Sequence, residues 1–377
     1  MLLAVITLVS IDKIVTFLVM LSILIVLHEG GHFIVARRNG VRVNEFAVGM
    51  GPKLLGWVSP RSGTLYSLRA LPIGGYCAME GEDNKTTEAE QQREFRDTQA
   101  PSSQNFQAKT PWQRLLIVLA GPVANFILAY VILLVGAVAF GVPSDRIDRA
   151  VVTMVLQGSP AAKHGLQPGD RIVAVGVGGK NVTAANALVD TIHASLGKTI
   201  DVTYDRNGVA KTIHVKPEPC PQNAKMGCIG FSPEPAFERV ALPAAISYSA
   251  REYVSVADQM FSSLGLLVTQ FTKYAPQLRG PVGMGQVAGV VQDLGWGPYF
   301  AFAATISFAL GVFNLLPIPA LDGGRAAFIV AELLRGKPVD PDKEALVHIA
   351  GFAALMALML LVAFHDIAHI VSGQGVL

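Results

Sequence analysis

The chain has 377 residues, of which 51% are hydrophobic and only 15% are charged. Soluble globular domains usually carry about 25% charged residues, and the mean hydropathy of +0.44 also lies on the apolar side. The composition therefore excludes a soluble enzyme, a disordered protein and a coiled coil, and it predicts an integral membrane protein with soluble segments attached. Because 30 basic residues balance 28 acidic ones and no basic stripe exists, nucleic-acid binding is not expected.

Four segments are long and apolar enough to cross a bilayer, which takes roughly 20 residues. They run over residues 13–36, 115–140, 299–316 and 346–371. The first has no small-residue cleavage site after its apolar core, so we interpret it as a retained helix rather than a removed signal peptide. Residues 242–271 are moderately apolar but charged in places, and they form either a poor fifth span or an amphipathic helix at the membrane surface.

The remaining segments differ in character. Strand-like alternation at Val41–Phe46, with Gly-Pro and Gly-Gly pairs after it, predicts a β region, and short strands over Arg171–Val175 and Thr199–Tyr204 predict a soluble domain. We divide the chain into four helical segments (1–40, 113–141, 298–317 and 346–372), a β region (41–80), a polar linker (81–112), a soluble domain (143–233), amphipathic helices (234–297) and a loop (318–345).

Basic residues near the ends of the spans predict the orientation of the chain. One cluster follows the first span, one precedes the second and one lies between the third and fourth. The clusters comprise Arg37, Arg38, Arg42, Lys109, Arg114, Arg325, Arg335, Lys337 and Lys343. With four spans, all three clusters face the cytoplasm, and both termini and the insert between the second and third spans lie outside.

The first span contains His28-Glu29-Gly30-Gly31-His32. Histidines at i and i+4 lie on one helical face, so both can bind one Zn²⁺, and the adjacent Glu29 can act as a general base on a metal-bound water. Such residues are costly inside an apolar span and indicate a function. The alternative is a pair of polar packing residues that hydrogen-bond to neighbouring helices.

A catalytic zinc needs a third protein ligand, for which Asp322 is the best candidate. It follows the third span in Pro317–Gly324, where prolines end the helix and glycines let the backbone bend back. On spacing alone, a zinc ligand and a solvated Asp in a helix-terminal turn are equally expected. Asp322 meets the histidines near the cytoplasmic side only if residues 242–271 do not cross the bilayer, and the distribution of basic residues independently predicts the same four spans.

A rival cluster, His365-Asp366-Ile367-Ala368-His369, also has histidines at i and i+4. Its acid is Asp, one methylene shorter than Glu, and it lies at the outer end of the fourth span, far from Asp322. We interpret this cluster as interfacial rather than as a set of zinc ligands.

Four motifs resemble those of the site-2 protease family of intramembrane zinc metalloproteases, most closely its bacterial RseP-type members, and the resemblance covers nearly the whole chain. The motifs are His28–His32, Ala120–Asn125, Gly280–Gly283 and Asn314–Gly324. The resemblance implies that Zn²⁺ is bound by three residues (His28, His32 and Asp322), that Glu29 is the catalytic base, and that Asn125 and Asn314 contact or hold the substrate backbone.

The resemblance also implies a fold. It is a polytopic α-helical membrane protein with four transmembrane helices, a membrane-associated β-hairpin over 41–79 and an inserted PDZ domain. The hairpin would pair with an extended substrate strand, since a substrate helix must unwind before its peptide bonds are accessible. Gly158–Ile172 resembles bacterial PDZ domains in their permuted form. The insert has room for one such domain, whereas the best-known RseP pattern carries two, and it is either a peptide-binding or size-excluding gate or a passive spacer.

The predicted topology sets an expectation for the oxidation state of each of the three cysteines. If the insert lies outside, Cys220 and Cys228 can oxidise, and we predict a disulfide between them; the alternative is two buried free thiols. Cys77 lies on the reducing side and is expected to be unpaired.

The leading hypothesis is a zinc-dependent intramembrane endopeptidase of the bacterial cytoplasmic (inner) membrane. By the resemblance, it cleaves transmembrane segments of proteins that another protease has already trimmed, such as anti-sigma factors, with remnant signal peptides as further substrates. Its expected partners are these membrane proteins and lipid. Two alternatives remain, a non-catalytic scaffold that binds partners through the PDZ domain and an ion-translocating membrane protein, although no pair of matching interrupted halves is present.

Overall fold

The computed structural model of the protein describes residues 11–82, 102–144, 150–156, 158–182, 185–220, 223–234, 237–274 and 279–371. The chain forms two compact units, one of residues up to Gly136 and from Ser249 onward, and one over Ala137–Tyr248. The first ten residues and most of the predicted polar linker, 83–101, lie outside the described residues.

The helices account for most of the first unit. In chain order they are α1 (Ile11–Arg38), α2 (Pro111–Phe140), α3 (Pro160–Lys163), α4 (Ala185–His193), α5 (Leu242–Thr269), α6 (Phe271–Tyr274), α7 (Pro281–Asp293), α8 (Trp296–Leu315), α9 (Asp322–Arg335) and α10 (Pro341–Val371).

The strands form a long hairpin and the sheets of the second unit. They are β1 (Val43–Val58), β2 (Leu65–Met79), β3 (Val142–Pro143), β4 (Val151–Val155), β5 (Arg171–Val177), β6 (Lys180–Val182), β7 (Ile200–Arg206), β8 (Val209–Val215), β9 (Glu218–Cys220), β10 (Asn223–Cys228), β11 (Phe231–Glu234) and β12 (Phe237–Glu238).

Four of the described helices are long and apolar enough to cross a membrane: α1, α2, α8 and residues Asp342–Ala368 of α10. They coincide with the four predicted spans to within a few residues, because a bilayer-spanning helix needs a continuous apolar run that is readable from sequence. Helix α5 is 28 residues long but is not among them. Its Tyr253 and Val256 instead pack in a cluster with residues of α2 and α8, such as Phe308.

The segment predicted as β is an antiparallel hairpin whose two long strands fold back on themselves. Phe46 lies opposite both Cys77 and Tyr66, and Val58 lies opposite Leu65. The part of β1 near α1 is buried, whereas the part beyond Met50, with Leu54 and Trp57, is exposed. Because this exposed part pairs only with the start of β2, it forms an apolar edge of the sheet.

A buried carboxylate joins the two strands of the hairpin. Glu45 of β1 accepts hydrogen bonds from Ser67, Arg69 and Tyr76, at 2.5, 2.8 and 2.8 Å. Burial by itself raises the pKa of Glu45, but these three donors outweigh it, so the pKa lies below its ordinary value. The satisfied charge fixes the register of the strands at the base of the hairpin, because any slip would leave it buried without partners.

Helices α1, α2 and α9 and the hairpin share one apolar core, which includes Ala36, Val43, Ile117, Ala326 and Ile329. Helix α9 is amphipathic, and it buries its apolar face in this core. The packing therefore places the first residue of α9 against the middle of α1 and α2.

The second unit is built around an antiparallel sheet with the order β11-β4-β5-β7-β8, and β6 pairs with β5. Its core residues lie on the alternating buried positions of these strands, such as Ile200, Val202 and Tyr204 of β7. The strands β9 and β10 form a separate pair, and a disulfide joins Cys220 to Cys228 with their Cα atoms 5.0 Å apart.

Candidate metal centre

Helix α1 supplies two histidines to the interior of the first unit. His28 and His32 are four residues apart and therefore share one face of the helix. They are 7% and 6% exposed, and their ring centroids lie 4.9 Å apart. Two buried imidazoles on one helical face are thus presented to α2.

Asp322 reaches the same place from the start of α9. Helix α8 ends at Leu315 and the two prolines of the following loop redirect the chain. A Cβ on Gly323 would lie 2.1 Å from the carbonyl oxygen of Leu316, and one on Gly324 would lie 2.4 Å from that of Ile318. The turn is tight enough that both positions after Asp322 must be glycine.

Three ligand atoms converge at this point. The Nε2 atoms of His28 and His32 are 3.2 Å apart, and Asp322 Oδ2 lies 3.1 and 3.3 Å from them. Ligands placed at Zn–N and Zn–O distances of about 2.0–2.1 Å around a tetrahedral ion are separated by about 3.3 Å. The three separations therefore match one face of such a tetrahedron.

The chemistry of the donors agrees with this geometry. Asp322 Oδ2 is buried, and despite its closeness to both imidazoles it has no hydrogen-bond partner with acceptable geometry. A buried carboxylate oxygen without a donor is costly, and a cation between the three atoms would satisfy it. Two imidazoles and one carboxylate are a set that zinc accepts in catalytic sites with an open fourth position.

Space for an ion comes from Gly121 of α2. A Cβ on Gly121 would lie 2.2 Å from His32 Nε2 and 2.7 Å from His28 Cε1. Any side chain at this position would therefore occupy the point toward which the ligand atoms converge. The close approach of α1 and α2 depends equally on Gly31, because a Cβ there would lie 2.4 Å from the carbonyl oxygen of Ala120.

Glu29, the predicted base, is half-buried on the next position of α1. Its Oε2 accepts a hydrogen bond from the main-chain N–H of Cys77 in β2, at 3.1 Å. The hairpin thus orients the carboxylate beside the three ligand atoms.

Burial, together with the charges of Glu82 and Glu29, raises the pKa of the Cys77 thiol, so this free cysteine is a neutral thiol and not a nucleophile.

The structure places the two predicted substrate-contact residues differently. Asn125 of α2 is fully buried, and its side-chain amide lies 3.1 Å from His28 Nδ1. Asn314 of α8 donates a hydrogen bond to the carbonyl oxygen of Leu310 within its own helix, at 3.0 Å. Contact of either residue with substrate stays a prediction, and neither of these contacts supports it.

The rival cluster at the end of α10 does not form a group of three metal-ligating atoms among the described residues. Asp366 is buried, and its Oδ2 accepts a hydrogen bond from the main-chain N–H of Gly283 at 2.8 Å. The carboxylate thus satisfies an orphan donor in the first turn of α7.

Another set of three metal-ligating side chains comprises His193, Cys220 and Cys228. The two cysteines form the disulfide, so both sulfurs are already bonded.

One residue near the centre has no role predicted from sequence. His348 of α10 accepts the main-chain N–H of Ala320 through Nδ1, at 2.8 Å. Ala320 has a φ of +76°, which is unfavourable for a residue other than glycine. The bond to His348 therefore holds a strained loop residue two positions before Asp322. No motif or spacing signals this contact.

A buried histidine pair, a carboxylate ligand and an adjacent glutamate are the parts of a zinc metalloprotease centre, and they lie between helices long enough to span a bilayer. The comparisons agree: residues 16–358 match Peptidase family M50, and the chain belongs to this family, the site-2 proteases. The protein is a metalloendopeptidase with Zn²⁺ as its cofactor.

The relatives match nearly end to end. The chain is 33% identical to the zinc metalloprotease RasP of Bacillus licheniformis, covering 95% of this chain and 99% of that protein. It is 35% identical to a putative zinc metalloprotease of Clostridium acetobutylicum, covering 96% and 98%. It is 31% identical to the regulator of sigma-W protease RasP of Bacillus subtilis, covering 96% and 99%.

One solved structure matches part of the chain. The PDZ domain of the SdrC-like protein from Listeria monocytogenes shares 23% identity and covers 23% of this chain and 87% of that domain, with a TM-score of 0.20. At that TM-score the likeness carries no argument about the fold of the insert, and the assignment of residues 143–233 as a PDZ domain stays a prediction.

Proposed function

We propose that this metalloprotease cleaves peptide bonds within the membrane, in transmembrane segments of other proteins. The observation that carries the proposal is the position of the three ligand atoms. His28 and His32 belong to an apolar helix of spanning length, α1, and they face Gly121 in a second such helix, α2. A polar site of this kind within apolar helices is expensive unless it has a function there.

In this proposal His28, His32 and Asp322 hold the zinc. The bound ion supplies a Lewis acid that polarises the scissile carbonyl and makes water acidic enough to lose a proton at neutral pH. Glu29 takes the proton of the attacking water and delivers it to the leaving amine. The hydrogen bond from the Cys77 main chain keeps the Glu29 carboxylate oriented toward the ligands.

The hairpin is the proposed site of substrate capture. A transmembrane helix must unwind before cleavage, and an added strand would satisfy its freed backbone groups in a medium without water. Across the part of the hairpin where both ends of β1 pair with the start of β2 lies an apolar groove, lined by Phe46, Val48, Leu55, Gly56, Trp57, Tyr66, Ser67 and Leu68. Such a lining accommodates apolar side chains of an extended transmembrane segment.

The proposed location is the bacterial cytoplasmic membrane, with the insert and both termini outside and the zinc near the cytoplasmic side. Basic residues Arg37 and Arg38 at the end of α1 support this orientation. The regulator of sigma-W protease among the relatives supports membrane-bound anti-sigma factors as substrates. We place this enzyme after a first protease that trims the substrate, with remnant signal peptides as a further class and lipid as its surroundings.

Glu29→Gln tests the proposal in purified full-length protein. The substitution keeps the size of the side chain but removes its basicity, so cleavage of a model membrane substrate is expected to fall by at least about 100-fold. Zinc content is expected to stay at the wild-type level, because Glu29 is not a ligand. The matched control is Gly30→Ala, since a Cβ at this neighbouring position meets nothing within 4 Å.

The substrate should be offered in two forms, as a transmembrane segment in liposomes and as a soluble peptide of the same sequence. Preferred cleavage of the membrane-embedded form supports intramembrane proteolysis. Undiminished cleavage by Glu29→Gln would refute the assigned base, and cleavage only of the soluble peptide would refute the intramembrane reaction.

A further inference from the structure

The side chain of Asn125 lies behind the proposed zinc site rather than in an open cleft. It is fully buried, and its Nδ2 is placed 3.1 Å from His28 Nδ1. Its Oδ1 is buried and has no hydrogen-bond partner. An Asn amide that is buried with its oxygen unsatisfied needs an explanation.

The tautomer of His28 explains the unsatisfied oxygen of Asn125. An imidazole that gives the lone pair of Nε2 to a metal must carry its proton on Nδ1, so Nδ1 is then a donor. The Nδ2 of Asn125 is also a donor, so in the present orientation of the amide two donors would face each other. A half-turn of the amide about its own axis puts Oδ1 at the same point. The buried Oδ1 then accepts the Nδ1–H of His28, so this oxygen and this N–H are paired with each other.

His32 is held in the same manner by the main chain. Its Nδ1 lies 2.8 Å from the carbonyl oxygen of Ile117, which fixes Nε2 as the free lone pair. Ile117, Gly121 and Asn125 are spaced four residues apart and therefore lie along one face of α2. The first orients His32, the second leaves room for the ion, and the third orients His28.

We infer that Asn125 is a positioning residue for zinc, which accepts the Nδ1–H of His28 through Oδ1 and so fixes the tautomer and ring orientation that bind the metal. This inference rests on the proposed ligand set, in which His28 binds zinc. Such outer partners also raise the basicity of the ligand, and their loss typically weakens metal binding by about 10–100-fold.

The test measures zinc affinity by competition with a chromophoric chelator in the purified full-length protein. Asn125→Leu removes the acceptor at similar volume, and zinc binding is expected to weaken by about 10–100-fold. Asn125→Asp keeps an acceptor oxygen, as in carboxylate–histidine–zinc triads, and is expected to stay within about threefold of wild type. The matched control is Ser307→Ala, which removes the buried 2.9 Å hydrogen bond to the Asn125 main-chain oxygen without touching His28.

The outcomes separate the inference from the ligand set on which it depends. His28→Ala is expected to abolish zinc binding, and wild-type affinity in that variant would refute the ligand set itself. If His28→Ala abolishes binding but Asn125→Leu stays within threefold of wild type, the positioning role is wrong. It is also wrong if Asn125→Asp or Ser307→Ala weakens binding as much as Asn125→Leu, because the effect is then one of packing.

Discussion

At the scale of single residues, the centre depends on glycines as much as on ligands. Gly31 lets α1 approach the α2 backbone, and Gly121 leaves open the point at which the ligand atoms converge. The types of the candidate ligands, histidine and aspartate, can be recognised in the sequence. The room for an ion is set by the neighbouring helix, and the sequence around a glycine does not show which atoms a Cβ at that position would meet.

Gly121→Ala is expected to abolish zinc binding while leaving the helices formed. The added methyl group would lie 2.2 Å from His32 Nε2, far inside van der Waals contact and at the point where the ion would bind, so the ion and the methyl group cannot coexist. Zinc content by metal analysis and helix content by circular dichroism check this together. Gly30→Ala is the control, and a variant Gly121→Ala that holds zinc with wild-type stoichiometry would show that the ion lies elsewhere.

At the scale of elements, a helix start and the loop before it position Asp322, the third proposed ligand. The amphipathic helix α9 buries Ala326 and Ile329 in the common core, and this docking brings Asp322 to the histidines. Ala320, in its strained conformation, is held from α10 by His348. Residues of two helices and of the loop before α9 therefore cooperate to place one carboxylate.

The second unit has its own polar anchor. Asp170, directly before β5, is 1% exposed, and Arg206 at the end of β7 donates two hydrogen bonds to it, at 2.6 and 2.7 Å. Burial raises the pKa of Asp170, but the bonds from Arg206 and the Gln167 main chain outweigh burial, so the pKa lies below its ordinary value. The anchor joins neighbouring strands of the sheet.

The depressed pKa predicts the pH dependence of the second unit. A carboxyl group with a lowered folded-state pKa contributes stability above its unfolded pKa of about 3.9, and loses it as the pH falls through the folded value. The protection factors of the β5 and β7 amides, which are hydrogen-exchange rates corrected for the intrinsic effect of pH, should therefore fall below about pH 4 in wild type. Asp170→Asn should exchange faster at neutral pH and show a weaker change with pH.

The matched control is Asp201→Asn on the same sheet. Asp201 pairs with His214 at 2.6 Å, but both side chains are at least half exposed. Exposed pairs contribute little to stability, so this variant should resemble wild type at neutral pH. Equal effects of the two substitutions would show that the buried Asp170–Arg206 pair stabilises the sheet no more than an exposed ion pair does.

At the scale of the whole molecule, the proposed orientation in the membrane makes a prediction about the oxidation state of the cysteines. The Cys220–Cys228 bond lies in the second unit, and Cys77 is a buried free thiol in the first. A disulfide persists in an oxidising compartment, whereas thiols stay reduced in the cytoplasm. The proposed orientation, with the second unit outside and the hairpin toward the cytoplasm, therefore predicts that the disulfide persists and that Cys77 stays reduced.

Mass spectrometry of non-reduced peptides from the membrane-inserted protein is expected to find the peptides of Cys220 and Cys228 linked. Closing a loop with a sequence separation of 8 corresponds to about 2.5 kcal/mol in the unfolded-chain entropy model. Replacing both cysteines by serine should destabilise the second unit by about that amount, while Cys77→Ser leaves that unit unchanged. Two free thiols at 220 and 228 in native membranes would contradict the external position of this unit.

Much of the molecule is determined by sequence alone. The four spans follow from the length of their apolar runs, because the bilayer imposes a length on any helix that crosses it. The histidine pair and Glu29 follow from helical periodicity within one of these runs. The β-hairpin follows from alternation and glycine pairs, although its exposed apolar edge does not, since exposure depends on what packs against each strand.

Only the tertiary structure decided how distant groups meet. Asp322 is separated from His28 by nearly the whole helical unit in sequence, and spacing left its role open between a ligand and a solvated turn residue. The carboxylate oxygen lies 3.1 Å from His28 Nε2, and this closeness supports the proposed role of Asp322 as a ligand. Asn125 and His348 became visible in the same manner, because hydrogen bonds between helices depend on packing geometry, and a local pattern contains no information about the facing helix.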